Sequence, residues 1–221
     1  MYTNFNIKIK ILKTAKIKLL SGRRYLLFFL ILLILILCPD NIYGQDGYDT
    51  FYKQSLKIQN TGMYVLGSWA VANIAAGGYG WAQHSGERAR FDQMNLFWNV
   101  VNLSIAGFAL YNNYNADVSL MDRDEILNDH IRIEKILRIN TLLNVGYIGT
   151  GLVMRHYSSK YPERKDLLRG YGSSIILQGS FLFVFDLVLY GFMRAERLGF
   201  MNNLQLSVSP EMTGIRFIIN L

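Results

Sequence analysis

Apolar residues run along this chain in four long blocks, at about residues 62–81, 94–111, 136–154 and 171–193, with charged segments between them. Each block is close to the ~20 residues an α-helix needs to cross about 30 Å of hydrocarbon. The first carries no charge. Before it, residues 48–60 read as a short amphipathic helix, with Phe51, Leu56 and Ile58 apolar and Lys53 and Lys57 on the wet side. Before the third block, Asp122 and Glu125 have the spacing of a helix cap, and Ile126, Ile133 and Leu137 recur at helical intervals. Residues 123–137 should therefore extend the third helix outward or lie at the interface, with Glu134 and Arg138 as an i,i+4 pair. Beyond the fourth block the period shortens. Residues 204–208 and 215–221 alternate like strands around Pro210 and Gly214, which predicts a β-hairpin. The expected fold is an all-α membrane protein: a four-transmembrane-helix bundle with amphipathic extracytoplasmic helices and a short C-terminal β-hairpin.

The N-terminal segment is different in kind. Lys8, Lys10, Lys13, Lys16, Lys18, Arg23 and Arg24 precede an apolar run over 25–37, a polar break, and Tyr43-Gly44-Gln45. A basic stretch, a short apolar core and a small residue at the exit describe a secretory signal peptide over 1–44. An uncleaved anchor, adding a fifth helix, is the competing reading. The organisation expected is thus a signal peptide at 1–44, a transmembrane domain at 45–200 and an extracytoplasmic hairpin at 201–221. With 51% hydrophobic and 18% charged residues the chain suits a lipid environment. Its net charge of +7 belongs to the leader, the remainder being close to neutral, so no nucleic-acid partner is expected. Cys38 leaves with the leader, which removes disulfide, thiolate and cysteine-ligand chemistry.

Four spans behind a cleaved signal place both mature termini outside the cytoplasm, so residues 83–91 and 155–169 should face inward. They hold Arg88, Arg90, Arg155, Lys160, Arg164, Lys165 and Arg169 against three acids, Glu87, Glu163 and Asp166. An excess of Lys and Arg marks cytoplasmic loops. The segment between the second and third blocks is instead acidic, with Asp117, Asp122, Asp124, Glu125, Asp129 and Glu134.

Polar residues inside the blocks are the candidate chemistry. Asn73 sits in the first; Asn95, Asn99 and Asn102 share a face of the second; Asn140 and Asn144 share a face of the third. The fourth carries Ser174, Gln178, Asp186 and Tyr190 on one face, and Asp186 is the one acid expected within hydrocarbon. Amides and a carboxyl there require partners, so these faces should turn inward. They serve either as interhelical hydrogen bonds or as a hydrated cavity for a proton or cation. At matching depth, Asn144 is the expected partner of Asp186. On the first helix Ser68, Ala72, Ala76 and Gly80 recur every four residues and predict a close helix contact, with homodimerisation as the alternative. His84, His130 and His156 do not make a metal site at this spacing, no cofactor motif occurs, and no acid, base and nucleophile set points to an enzyme.

Trp98-Asn-Val-Val-Asn-Leu-Ser-Ile-Ala-Gly107, the glycine-rich end of the first block and the leader ending Tyr-Gly-Gln resemble uncharacterised small four-helix integral membrane proteins of Bacteroidota, over roughly residues 46–200. The resemblance implies a Gram-negative inner membrane, with periplasmic mature termini, and no assigned activity. The leading functional expectation is a non-enzymatic scaffold or interaction component, contacting the bilayer and a membrane-protein partner or a second copy. A small transporter or channel using the Asn/Asp face comes next, and a membrane-embedded enzyme last.

Overall fold

A computed structural model of the chain describes residues 47–117 and 121–208. The expected signal peptide and the expected second strand, 215–221, lie outside the described residues. Among the described residues four helices follow one another: α1 (Gly47–Gln83), α2 (Gly86–Tyr114), α3 (Arg123–Tyr157) and α4 (Lys165–Val208), with one 3₁₀ turn, Pro162–Arg164, leading into α4. The amphipathic segment 48–60 and the first apolar block are one continuous helix. At ~1.5 Å per residue α1 is about 55 Å long, well beyond the thickness of hydrocarbon.

Local chemistry sets the helix boundaries. Asp122 caps α3, its side chain accepting from the Glu125 amide at 2.7 Å. The α1–α2 connection is two residues long and needs a left-handed residue at its exit; Gly86, with φ +62°, supplies it. Among the described residues no strand occurs, and residues 204–208, expected as the first strand of a hairpin, continue α4 as helix. Leu204 and Val208 are four apart, so the alternating pattern also fits a helical face. Propagating an existing helix gains one hydrogen bond per residue fixed, whereas a lone hairpin is marginal.

The helices pack as two antiparallel pairs, α1 with α2 and α3 with α4, and α4 also lies along α2 and touches α1. Consecutive helices α2 and α3 scarcely touch. The tightest α3–α4 approach is at Gly151, where a Cβ would stand 2.6 Å from the Gly172 carbonyl oxygen. Gly146 faces open space, while Gly179 packs against Asn144 and Ile148.

The small-residue stripe predicted on α1 is not the packed face. Ser68, Ala72 and Ala76 are exposed, and of the four only Gly80 is buried. The contact runs instead through Gly62, Leu66, Ala70 and Gly77. Leu66 and Ala70 remove more apolar area there, and the two glycines admit neighbours that a Cβ would block. Outside these contacts the bundle presents large apolar side chains, among them Val71, Phe97, Phe108, Leu142 and Leu152. Two helices, α3 and the helix containing α4, are long and apolar enough to cross a membrane.

Candidate functional site

The polar residues singled out in the sequence fall into two groups. One is a closed ring of hydrogen bonds joining α1, α2 and α4. Trp69 Nε1 donates to Gln178 Oε1 at 3.0 Å, Gln178 Nε2 donates to Asn95 Oδ1, Asn95 Nδ2 donates to Asn73 Oδ1 at 3.0 Å, and Asn73 Nδ2 donates to the Trp69 carbonyl at 2.8 Å. Gln178 is fully buried, and its amide can meet both partners only because it presents a donor and an acceptor on one carbon. Asn99 continues the ladder by donating to the Asn95 carbonyl at 2.7 Å, and Asn102 donates to Asn99 at 3.4 Å. Ser174, one turn from Gln178, is fully buried with its hydroxyl unpartnered. This ring is interhelical bonding.

The other group lines a cavity. Because α2 and α3 do not close on each other, a cleft of about 460 Å³ lies between them, floored by α1 and α4. Asn102, Asn140, Asn144 and Asp186 line it, with Gln59 and Asn113 toward its outer end. Asn144 Nδ2 donates to Asp186 Oδ2 at 2.7 Å, the pairing expected from depth. Its floor is buried: Phe185, Asp186, Leu189, Asn102 and Asn144 are all nearly inaccessible. Its rim is not, for Val101 and Ile105 on α2 and Ile136 and Leu143 on α3 are about half-exposed. Trp98 and Tyr147, ring centroids 4.9 Å apart and edge-on, bridge α2 and α3 where the cleft narrows. Among the described residues no Lys, Arg or His lines it. The cleft therefore combines apolar walls, a few amides and one carboxyl, the composition usual for small-molecule sites.

A second buried network, which the sequence did not reveal, fastens α1, α3 and α4 outside the apolar stretches. His130 is 1% exposed. Its Nε2 lies 2.8 Å from the Met193 carbonyl and must donate to it, so Nδ1 accepts from the Ser55 hydroxyl at 2.9 Å. Gln59 Nε2 donates to Ser55 at 3.3 Å and so joins this network to the cleft. Burial holds the His130 imidazole below its ordinary value, against the opposing pull of the Met193 carbonyl and Glu134. Glu134 does not pair with Arg138. It takes a two-pronged ion pair from Arg197, at 2.6 and 3.0 Å, a geometry that only guanidinium provides. Around it Phe51, Tyr52, Ile126 and Phe200 form an apolar cluster, with Phe51 stacked on Phe200 at 4.3 Å. Glu196 is also buried, and burial pushes its carboxyl up.

Asp186 is not alone in being buried, since Asp92, Glu134 and Glu196 are as well. Asp92 holds His84 Nδ1 at 2.7 Å across the α1–α2 turn, a contact between a histidine and a carboxylate that the sequence reading did not draw. The available signal was the eight-residue spacing across a tight turn. Once α2 starts at Gly86, Asp92 stands nearly two turns inside it.

Comparison with known proteins leaves the function open. Residues 65–187 match the model of a family of unknown function (DUF6992). No curated protein and no solved structure matches the chain.

Proposed function

Because the chain belongs to a family whose function is unknown, DUF6992, we propose its role from its own geometry: an integral membrane protein that takes a small, largely apolar molecule from the bilayer into the cleft between α2 and α3. The observation that carries this is the contrast within one cavity, a buried polar floor around Asn144 and Asp186 beneath an exposed apolar rim. A structural seam would close on itself as the Trp69–Gln178–Asn95–Asn73 ring does. The cleft instead keeps open volume beside polar groups, and a lipophile with a polar end matches both surfaces.

The setting proposed is the inner membrane, multi-pass, with four spans and periplasmic mature ends. Support comes from the two helices apolar enough to cross, the exposed apolar side chains of α1 and α2, and the basic segments 83–91 and 155–169. In this setting the rim opens sideways to lipid. The exposed stripe of Ser68, Ala72 and Ala76 suits a membrane-protein partner or a second copy, whereas the cleft sets buried polar groups beside open volume and so favours binding of a membrane solute.

Photolabelling in nanodiscs with the neutral carbene source 3-trifluoromethyl-3-phenyldiazirine tests the reading. Every lipid-facing side chain will react, but Phe185 and Leu189, 2% and 1% exposed, are reached only from inside the cleft. Labelling of those two is expected, and loss of it in Ala109→Trp, which fills the cleft from α2. Labelling confined to the rim would overturn the proposal.

A further inference from the structure

We infer that the molecule taken by the cleft is a lipophilic ammonium cation, and that it enters in exchange for a proton carried by Asp186. This rests on the cleft being a binding site, as proposed above. It adds the charge of the ligand and the counter-movement of a proton.

Charge accounting within the cleft leads there. Among the described residues Asp186 is its single carboxyl, 6% exposed, and no basic side chain lines the cavity from any of the four helices. Facing groups from α1 are Gln59, Met63 and Leu66, all uncharged; α2 offers amides and Trp98, and α3 offers Asn140, Asn144 and Tyr147. Tyr147 is the other titratable side chain of the lining. On α4 itself, Tyr190 stands one turn from Asp186, and its hydroxyl is bonded by Arg194 at 3.1 Å rather than turned to the carboxyl. Among the described residues Asp186 is hydrogen-bonded by the neutral Asn144 amide.

One amide hydrogen bond does not compensate an ionised carboxylate inside hydrocarbon, where an isolated charge is strongly disfavoured. Two occupants satisfy Asp186: a proton, which makes it a neutral acid, or a cation, which leaves a buried ion pair. In the exchange inferred here, the proton is the occupant before the cation arrives. An entering ammonium R₄N⁺ converts the carboxylic acid to carboxylate, and the O–H bond breaks as its proton passes to water. Asp–COOH plus R₄N⁺ gives the Asp–COO⁻·R₄N⁺ pair plus H⁺, with charge conserved and no electron transferred. The aromatic side chains of Phe185, Trp98 and Tyr147 line the same space, and aromatic rings attract a cation through their π clouds. Apolar walls then hold the substituents of the ammonium.

Benzyltrimethylammonium and its uncharged carbon isostere neopentylbenzene separate this inference from the reading beneath it. The ammonium charge is permanent, so any proton that appears on binding comes from the protein. In weakly buffered detergent solution, a pH-indicator dye should report about one proton released per ammonium bound and none with neopentylbenzene. Affinity for the cation should rise about tenfold per pH unit in the range where Asp186 is protonated, as expected for one linked proton. Asp186→Asn, which keeps the amide partner, should lose cation binding and proton release but retain neopentylbenzene. The wild-type proton count and pH slope decide the matter even where that variant does not fold. Equal binding of both compounds without proton release would overturn the exchange and leave the cleft a neutral-lipophile site. Failure of both to bind would overturn the inference together with the reading it rests on.

Discussion

Asn144 on α3 and Asp186 on α4 meet through a hydrogen bond of 2.7 Å at the buried floor of a cleft whose rim is exposed. The pair therefore contributes to helix association as well as lining the cavity. Asn144→Ala leaves a buried carboxyl without its donor and is expected to lower stability by about 1 to 2 kcal/mol. The double variant Asn144→Ala/Asp186→Leu removes both polar groups and should recover part of that loss. Thermal melting in detergent measures both, and a double variant less stable than the single one would show that the two residues do not act together.

Gln178, like Asn95, has two side-chain partners on different helices of the ring, Trp69 on α1 and Asn95 on α2. Gln178→Leu keeps the volume and strands both. An expected cost of about 1 to 2 kcal/mol follows, toward the upper end for interhelical hydrogen bonds in membranes. Gln178→Glu retains the acceptor toward Trp69 but not the donor toward Asn95, and should fall between wild type and Leu. Equal melting temperatures for all three would mean that the ring adds nothing.

Acid sensitivity should originate at His130. Burial holds its imidazole below the ordinary value of about 6.5, so the unfolded chain takes up this proton first as the pH falls. The stability linked to it is complete above about pH 6.5 and declines below. Glu196 acts in the opposite sense: its raised carboxyl keeps a proton in the folded chain that the unfolded chain has already lost, so above 4.5 acidification favours the fold at that residue. Subtracting the melting profile of His130→Gln from that of wild type, between pH 5.5 and 7.5, isolates the histidine. A flat difference would refute its role.

Helix existence and the Asp122 cap were legible because both are local: period, length and a side chain three residues from an amide suffice. The Asn144–Asp186 pair was legible too, since antiparallel helices of known direction bring residues of equal depth together. Which face of α1 packs was not. Ser68–Ala72–Ala76 and Gly62–Leu66–Ala70 share the same four-residue spacing, and the choice depends on the partner's shape, as with the Asp92 backbone and Leu96 behind Gly77. Glu134 misled for a related reason. A neighbour four residues away was visible in the sequence, while Arg197, 63 positions distant, brings the fork that outcompetes it. At residues 204–208 the pattern fits strand and helix alike, and continuity with α4 decides.

The scant contact between α2 and α3 also bears on mechanics. Parting these two helices disrupts little protein packing beyond the Trp98–Tyr147 edge contact, so in the membrane setting proposed above the resistance to opening would come mainly from the acyl chains pressed against the rim. The width of the mouth would then follow the lateral pressure of the bilayer. Lipid composition would become a control on access, exerted without any ligand on the protein.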